Sequence, residues 1–125
     1  MVFLGTGAEV QAAFQQAGWQ PALAPSAGAV SREIAAILLG QNSYEAPVST
    51  EYFEGRRQDF AFQLQGPTVK VRHHLRIWRL DSAAGVWVGA AIKDVGVLAR
   101  PWTGTATHRV DPDADAERDF TVSAL

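Results

Sequence analysis

The feature that most restricts the fold is a change of hydrophobic period in mid-chain. DFAFQLQ at 59–65 puts Phe60, Phe62 and Leu64 on one side. KVRHHLRIWRL at 70–80 does the same for Val71, Leu75 and Ile77, and VWVGAAIK at 86–93 for Val86, Val88, Ala90 and Ile92. A period of two belongs to half-buried strands. The last two runs flank DSAAG, a turn, so they read as an antiparallel hairpin. Joining their apolar sides pairs Ile77 with Val88, Leu75 with Ala90 and Trp78 with Trp87. The other face then carries Arg72, His74, Arg76, Lys93 and both tryptophans. Gly89 and Ala91 form a small-residue floor there that leaves room for a ligand.

The N-terminal half reads differently. VFLG at 2–5 is a short strand. Thr6 and Glu9 have capping-box spacing, and Val10, Ala13, Phe14 and Ala17 follow at helical intervals up to Gly18 and Pro21. A second helix is expected after Ser26 or Ser31, ending at Gly40, with Ile34, Ile37 and Leu38 as its stripe. Residues 41–58 and 94–106 read as loops, marked by Pro47, Gly55, Gly96, Pro101 and Gly104. Asp111 followed by Pro112 opens a final helix. The expected class is α+β: a mainly antiparallel sheet with two N-terminal helices and one C-terminal helix, in a single domain over 1–125.

Composition removes several functions. The 125 residues are 47% hydrophobic with a net charge of -2, which gives no basic footprint for nucleic acid. There is no cysteine, so disulfides, thiolate nucleophiles and zinc ribbons are out. The apolar run IAAILLG at 34–40 is far short of the ~20 residues of a membrane span. The start lacks the charged and apolar regions of a signal peptide. A soluble chain, cytoplasmic by default, is expected, and nothing in the pattern fixes its oligomeric state. No GxSxG, Walker loop or HExxH is present, and GTG at 5–7 lacks the third glycine of a dinucleotide fingerprint.

Chemistry concentrates in two places. THRVDPDADAERDF at 107–120 holds Asp111, Asp113, Asp115, Glu117 and Asp119 behind His108. The acids suit a capped helix start, where the dipole stabilises carboxylates. They do not suit an EF-hand, whose sixth position would be Ala116 and twelfth Val122. The basic strand at 70–80 is the electrostatic complement. Either the helix packs by the strand and neutralises it, or the two line a cleft for a charged substrate.

On that strand His73 falls on the core face and His74 on the basic face, so one ion cannot take both. The expected register sets Asp94 opposite Val71 and diagonal to His73. That is a satisfied buried histidine or a general base oriented by its aspartate. The candidate acid/base residues are therefore His73, His74, His108, Asp94 and Asp111. Arg72, Arg76, Trp78 and Trp87 would hold a small-molecule ligand, with forked arginine bonds suited to phosphate. A divalent metal, if bound, would take His74, His108 and Asp111. The alternative is a noncatalytic accessory module in which these groups form a buried polar network.

Four segments resemble the LssY carboxy-terminal domain family: VFLGTGAEVQAAFQQAGW, APVS with GRRQDFAFQ, RHHLRIWR with VWVGAAIKDVGV, and HRVDPDADAERDF. The resemblance runs nearly end to end. It implies a domain of undefined activity that often follows membrane regions similar to lipid-phosphate phosphatases or to DedA-type proteins. No such region precedes it in this sequence, so it is expected to stand alone or to be one part of a larger protein.

Overall fold

The computed structural model describes residues 1–22, 48–67, 71–80, 84–100 and 105–125. The expected helix ending at Gly40 lies outside them. In chain order the elements are β1 (Val2–Leu4), α1 (Gly7–Gln16), β2 (Gln20–Pro21), β3 (Tyr52–Phe53), β4 (Arg56–Arg57), β5 (Phe60–Gln65), β6 (Arg72–Arg79), β7 (Val86–Arg100), β8 (Thr105–Val110) and α2 (Ala114–Ser123). The class is α+β, with one helix near each end of the chain.

All strand pairings among the described residues are antiparallel. The main sheet runs β1-β7-β6-β5-β2, and β8 pairs with the far half of β7 on the β1 side. Helix α1 starts as expected: the Thr6 hydroxyl accepts from Glu9 N, and the Glu9 carboxylate accepts from Thr6 N at 2.7 Å. Its buried residues Val10 and Phe14 face the sheet, where Phe14 stacks on Phe62 at 5.2 Å and meets Trp19 and Phe3 edge-on. Leu75 and Ile77 complete this core with no exposed surface.

The hairpin register differs from the expected one by a single residue. Ile77 pairs with Gly89, Leu75 with Ala91, Trp78 with Val88 and Arg72 with Asp94. A one-residue slip exchanges the faces of a strand. The core side of β7 is therefore Trp87, Gly89 and Ala91, while Ala90 is exposed and Val86, Val88 and Ile92 are half-buried. The two tryptophans lie on opposite faces. Trp87 stacks on Phe60 at 5.1 Å in the core, whereas Trp78 meets Phe53 on the other side. Lys93 moves to the core face beside His73. The expected ligand floor is also filled. A Cβ on Gly89 would come within 2.7 Å of the Phe3 ring, so the missing side chain is replaced by an aromatic from the neighbouring strand.

Two expected loops are partly strand. Tyr52–Phe53 and Arg56–Arg57 form a ribbon whose two turn residues, Glu54 and Gly55, both have positive φ (51° and 77°). That is the conformation of a tight hairpin turn. The expected loop from 94 is instead the second half of β7, paired to β8. A β-bulge between Asp94 and Gly96 interrupts the alternation and hides the strand from a period-two reading.

Because the Gly89 site is filled by Phe3, Gly89→Ala is expected to destabilise by about 1 kcal/mol through overpacking. Urea unfolding reads this as a lower midpoint at unchanged slope, and Phe3→Leu in the same chain should recover part of it. An unchanged midpoint in Gly89→Ala would contradict the tight fit.

Candidate functional site

The face of the sheet away from α1 carries a polar cluster drawn from three adjacent strands. Asp94 on β7 sits at its centre. Its Oδ2 is 3.0 Å from His74 Nε2 on β6, 3.1 Å from His108 Nδ1 on β8 and 3.8 Å from Arg72 Nη2. The registers explain the convergence. Asp94 pairs with Arg72 on one side and with Val110 on the other. His74 and His108 each lie two residues away on the same face, which is the diagonal position that side chains can reach. Sequence reasoning named His74, His108, Asp94, Arg72 and Arg76 as candidates, along with His73 and Asp111. It wrongly gave Asp94 to His73, because the assumed register was one residue off.

Burial is steep across the cluster. The side chains of Asp94, His74 and Arg72 are 3%, 6% and 6% exposed, while that of His108 is 34% exposed. His108 thus connects a buried carboxylate to the surface. Arg76 is buried beside them and donates through Nη2 to Ser49 Oγ at 3.0 Å. Trp78 donates its indole N–H to Arg56 O at 3.1 Å, so it seals this face rather than offering a free ring edge.

The electrostatics follow from this burial. Burial alone would raise the pKa of Asp94, but the contacts with His74, His108 and Arg72 outweigh it and hold the carboxyl below the usual range. For His74 burial dominates and pushes the pKa down, against the attraction of Asp94; Arg72 and Arg76 push the same way as burial. Burial also lowers the pKa of Arg76, which remains cationic at neutral pH. The His74–Asp94 approach is close but badly directed, and neither His74 Nε2 nor Asp94 Oδ2 completes a hydrogen bond. It is a charge–dipole contact at 3.0 Å.

Two predicted residues lie elsewhere. His73 points to the opposite face, where both Glu117 oxygens meet its Nδ1 at 2.8 and 2.9 Å. Asp111 pairs with Lys93 at 3.8 Å on that same side. The trio His74, His108 and Asp111 is therefore not assembled, and among the described residues no three His, Asp or Glu side chains are placed to hold a metal ion. Helix α2 covers the α1 side of the sheet, so it does not neutralise Arg72 and Arg76. Its outer acids are held locally: Arg118 binds Asp115 and Asp119, and Asp113 caps the helix through Ala116 N.

Sequence reasoning missed the role of Glu117. Its spacing to Phe120 and Thr121 marks the inward side of the helix and was the available signal. Trp87 belongs to the core, with its indole N–H on Gly5 O. Two wide concavities, about 590 and 780 Å³, lie along β1 and the start of α1 and include none of the cluster residues. Both hollows are shallow, and the charged residues that line them are Glu9 and Arg79.

A family model described as LssY C-terminus matches residues 1–125, the whole chain. No curated protein and no solved structure matches. No helix among the described residues is long and apolar enough to cross a membrane.

The lowered pKa of His74 has a consequence for stability. The unfolded chain takes up a proton at His74 near pH 6.5 and the folded chain only at lower pH. Stability is thus complete above pH 6.5 and falls as the pH drops through the folded value. Asp94 adds a second loss below its ordinary 3.8, as pH falls through its depressed folded pKa. The melting temperature should decline from pH 7 to 5, and His74→Asn should flatten that decline. An equal slope in both proteins would remove His74 as its source.

Proposed function

The chain belongs to the LssY C-terminus family, and we propose that its Asp94 cluster is an acid/base site of a small hydrolase-like domain acting on an anionic small molecule. One observation carries this: a partly exposed imidazole, His108, has Nδ1 against a buried carboxylate. On this reading the proton sits on Nδ1, facing the carboxylate, and the ring takes or gives a proton through Nε2. Asp94 orients the ring on this reading. His74, kept neutral by burial, backs the carboxylate from the other side. Arg72 and Arg76 place positive charge behind the site, which favours a substrate bearing a phosphate or carboxylate group.

A second reading keeps the same residues as a noncatalytic accessory module. It is favoured by the internal pairing of the arginines, Arg72 to Asp94 and Arg76 to Ser49. On that view the network fixes the fold and does not meet a ligand.

The two separate by experiment. p-Nitrophenyl phosphate, its bis-ester and a carboxylic ester are assayed, with phosphate and pyrophosphate binding followed by calorimetry. His108→Ala should cut turnover by about 100-fold or more, the usual weight of general acid/base catalysis. Its melting temperature should fall by only a few degrees, since Asp94 keeps His74 and Arg72 beside it. No turnover or binding in the wild type, with a fall of many degrees in His108→Ala, would favour the structural module.

A further inference from the structure

The back of the sheet holds a second buried polar pair that the proposed chemistry does not use. Glu117 is 3% exposed and His73 8%, and the carboxylate meets His73 Nδ1 with both oxygens. The Phe120 ring stacks on the imidazole at 4.3 Å and 22°, and Trp19 meets it edge-on from the core side. Fully buried Thr121 bonds back to Glu117 O at 2.9 Å, which fixes this turn of α2.

We infer that α2 sets the geometry of the Asp94 cluster from the opposite face of the sheet, with Glu117 as its positioning residue. The placement of the contacts carries this. All three strands of the cluster are held by α2 or its lead-in close to the cluster residue. On β6, Glu117 grips His73, the immediate neighbour of His74. On β7, Lys93 is the neighbour of Asp94; its carbonyl accepts from Asp111 N at 2.8 Å and its ammonium pairs with the Asp111 carboxylate. Strand β8, which carries His108, ends at Val110 and runs directly into Asp111 and the Asp113 cap. Successive strand residues face opposite sides of one stiff peptide ladder. A shift of His73 or Lys93 on the back therefore moves His74 or Asp94 on the front. Undocking α2 would loosen the start of β6, the middle of β7 and the end of β8 at once, and the 3.0 and 3.1 Å approaches to Asp94 depend on all three. The inference rests on the acid/base reading for its functional meaning, but not for its test.

Full-length protein labelled with ¹⁵N-histidine is compared with Glu117→Gln and Glu117→Ala at one pH. Long-range ¹H–¹⁵N spectra report the tautomer and environment of each imidazole, and melting temperature is measured alongside. His73 will move in any case and serves as the control. His108 decides, being on another strand and the other face. The expected result is a shift of the His108 and His74 nitrogens in Glu117→Ala, partly restored in the nearly isosteric Glu117→Gln. Folded Glu117→Ala with a lower melting temperature and a wild-type His108 spectrum would overturn the inference, leaving Glu117 a packing residue. If the alanine variant does not fold, Glu117→Gln is judged by the same two outcomes. Where a substrate is found, Glu117→Gln should lower kcat several-fold with KM held. A shifted His108 spectrum with no turnover of any ester would sink the acid/base reading while the coupling stands.

Discussion

Strand β6 is the middle of the sheet and is buried on both faces, yet its buried residues include Arg72, His73, His74 and Arg76. Burying a charge without a partner costs several kcal/mol, so a strand of this composition cannot occupy the centre of a sheet by itself. The rest of the structure supplies what it lacks. Strand β7 brings Asp94 to one face, α2 brings Glu117 to the other, and the segment before β3 offers Ser49 to Arg76. Leu75 and Ile77 fill the core between these groups with no exposed surface.

The two carboxylates are placed by opposite means. Asp94 sits within a strand, and its position follows from the ladder and from the bulge beside it. Glu117 sits on a helix and depends on that helix docking. Removing one partner of a buried pair costs roughly 3–5 kcal/mol, whereas an apolar replacement of the whole pair is often neutral. Packing alone would thus be served as well by leucine and phenylalanine. Charge is nevertheless kept on both faces of this strand, and exposure rises from Asp94 to His108 on one of them.

Much of this was readable in the residues. The period of two located β5, β6 and the first half of β7. The Thr6–Glu9 capping box located α1, and the acid-rich run located α2 to within a few residues. Residue type marked His74, His108, Asp94, Arg72 and Arg76 as candidates, and strand face put Arg72, His74 and Arg76 together but set Asp94 apart with His73. Three things did not come through. The register was misjudged because valine and isoleucine looked like the core side, when Trp87 with small residues beneath Phe3 is the better fit to α1. The bulge after Asp94 broke the pattern that would have revealed β8. Glu117 looked like one more helix-start acid among five.

These failures share a cause. Local sequence carries the period of an element, its caps and its turns, since those depend on neighbours a few residues away. It therefore settles that β6 is a strand with His73 and His74 on opposite faces, and that a helix follows Asp113. Which carboxylate each histidine meets depends on a register and on a docking face, set by packing among residues 20 to 80 positions apart. A shift of one residue there leaves every local preference intact and exchanges every partner. The pairing of His74 and His108 on Asp94, and of His73 on Glu117, was thus decided only when the sheet closed and both helices took the same side.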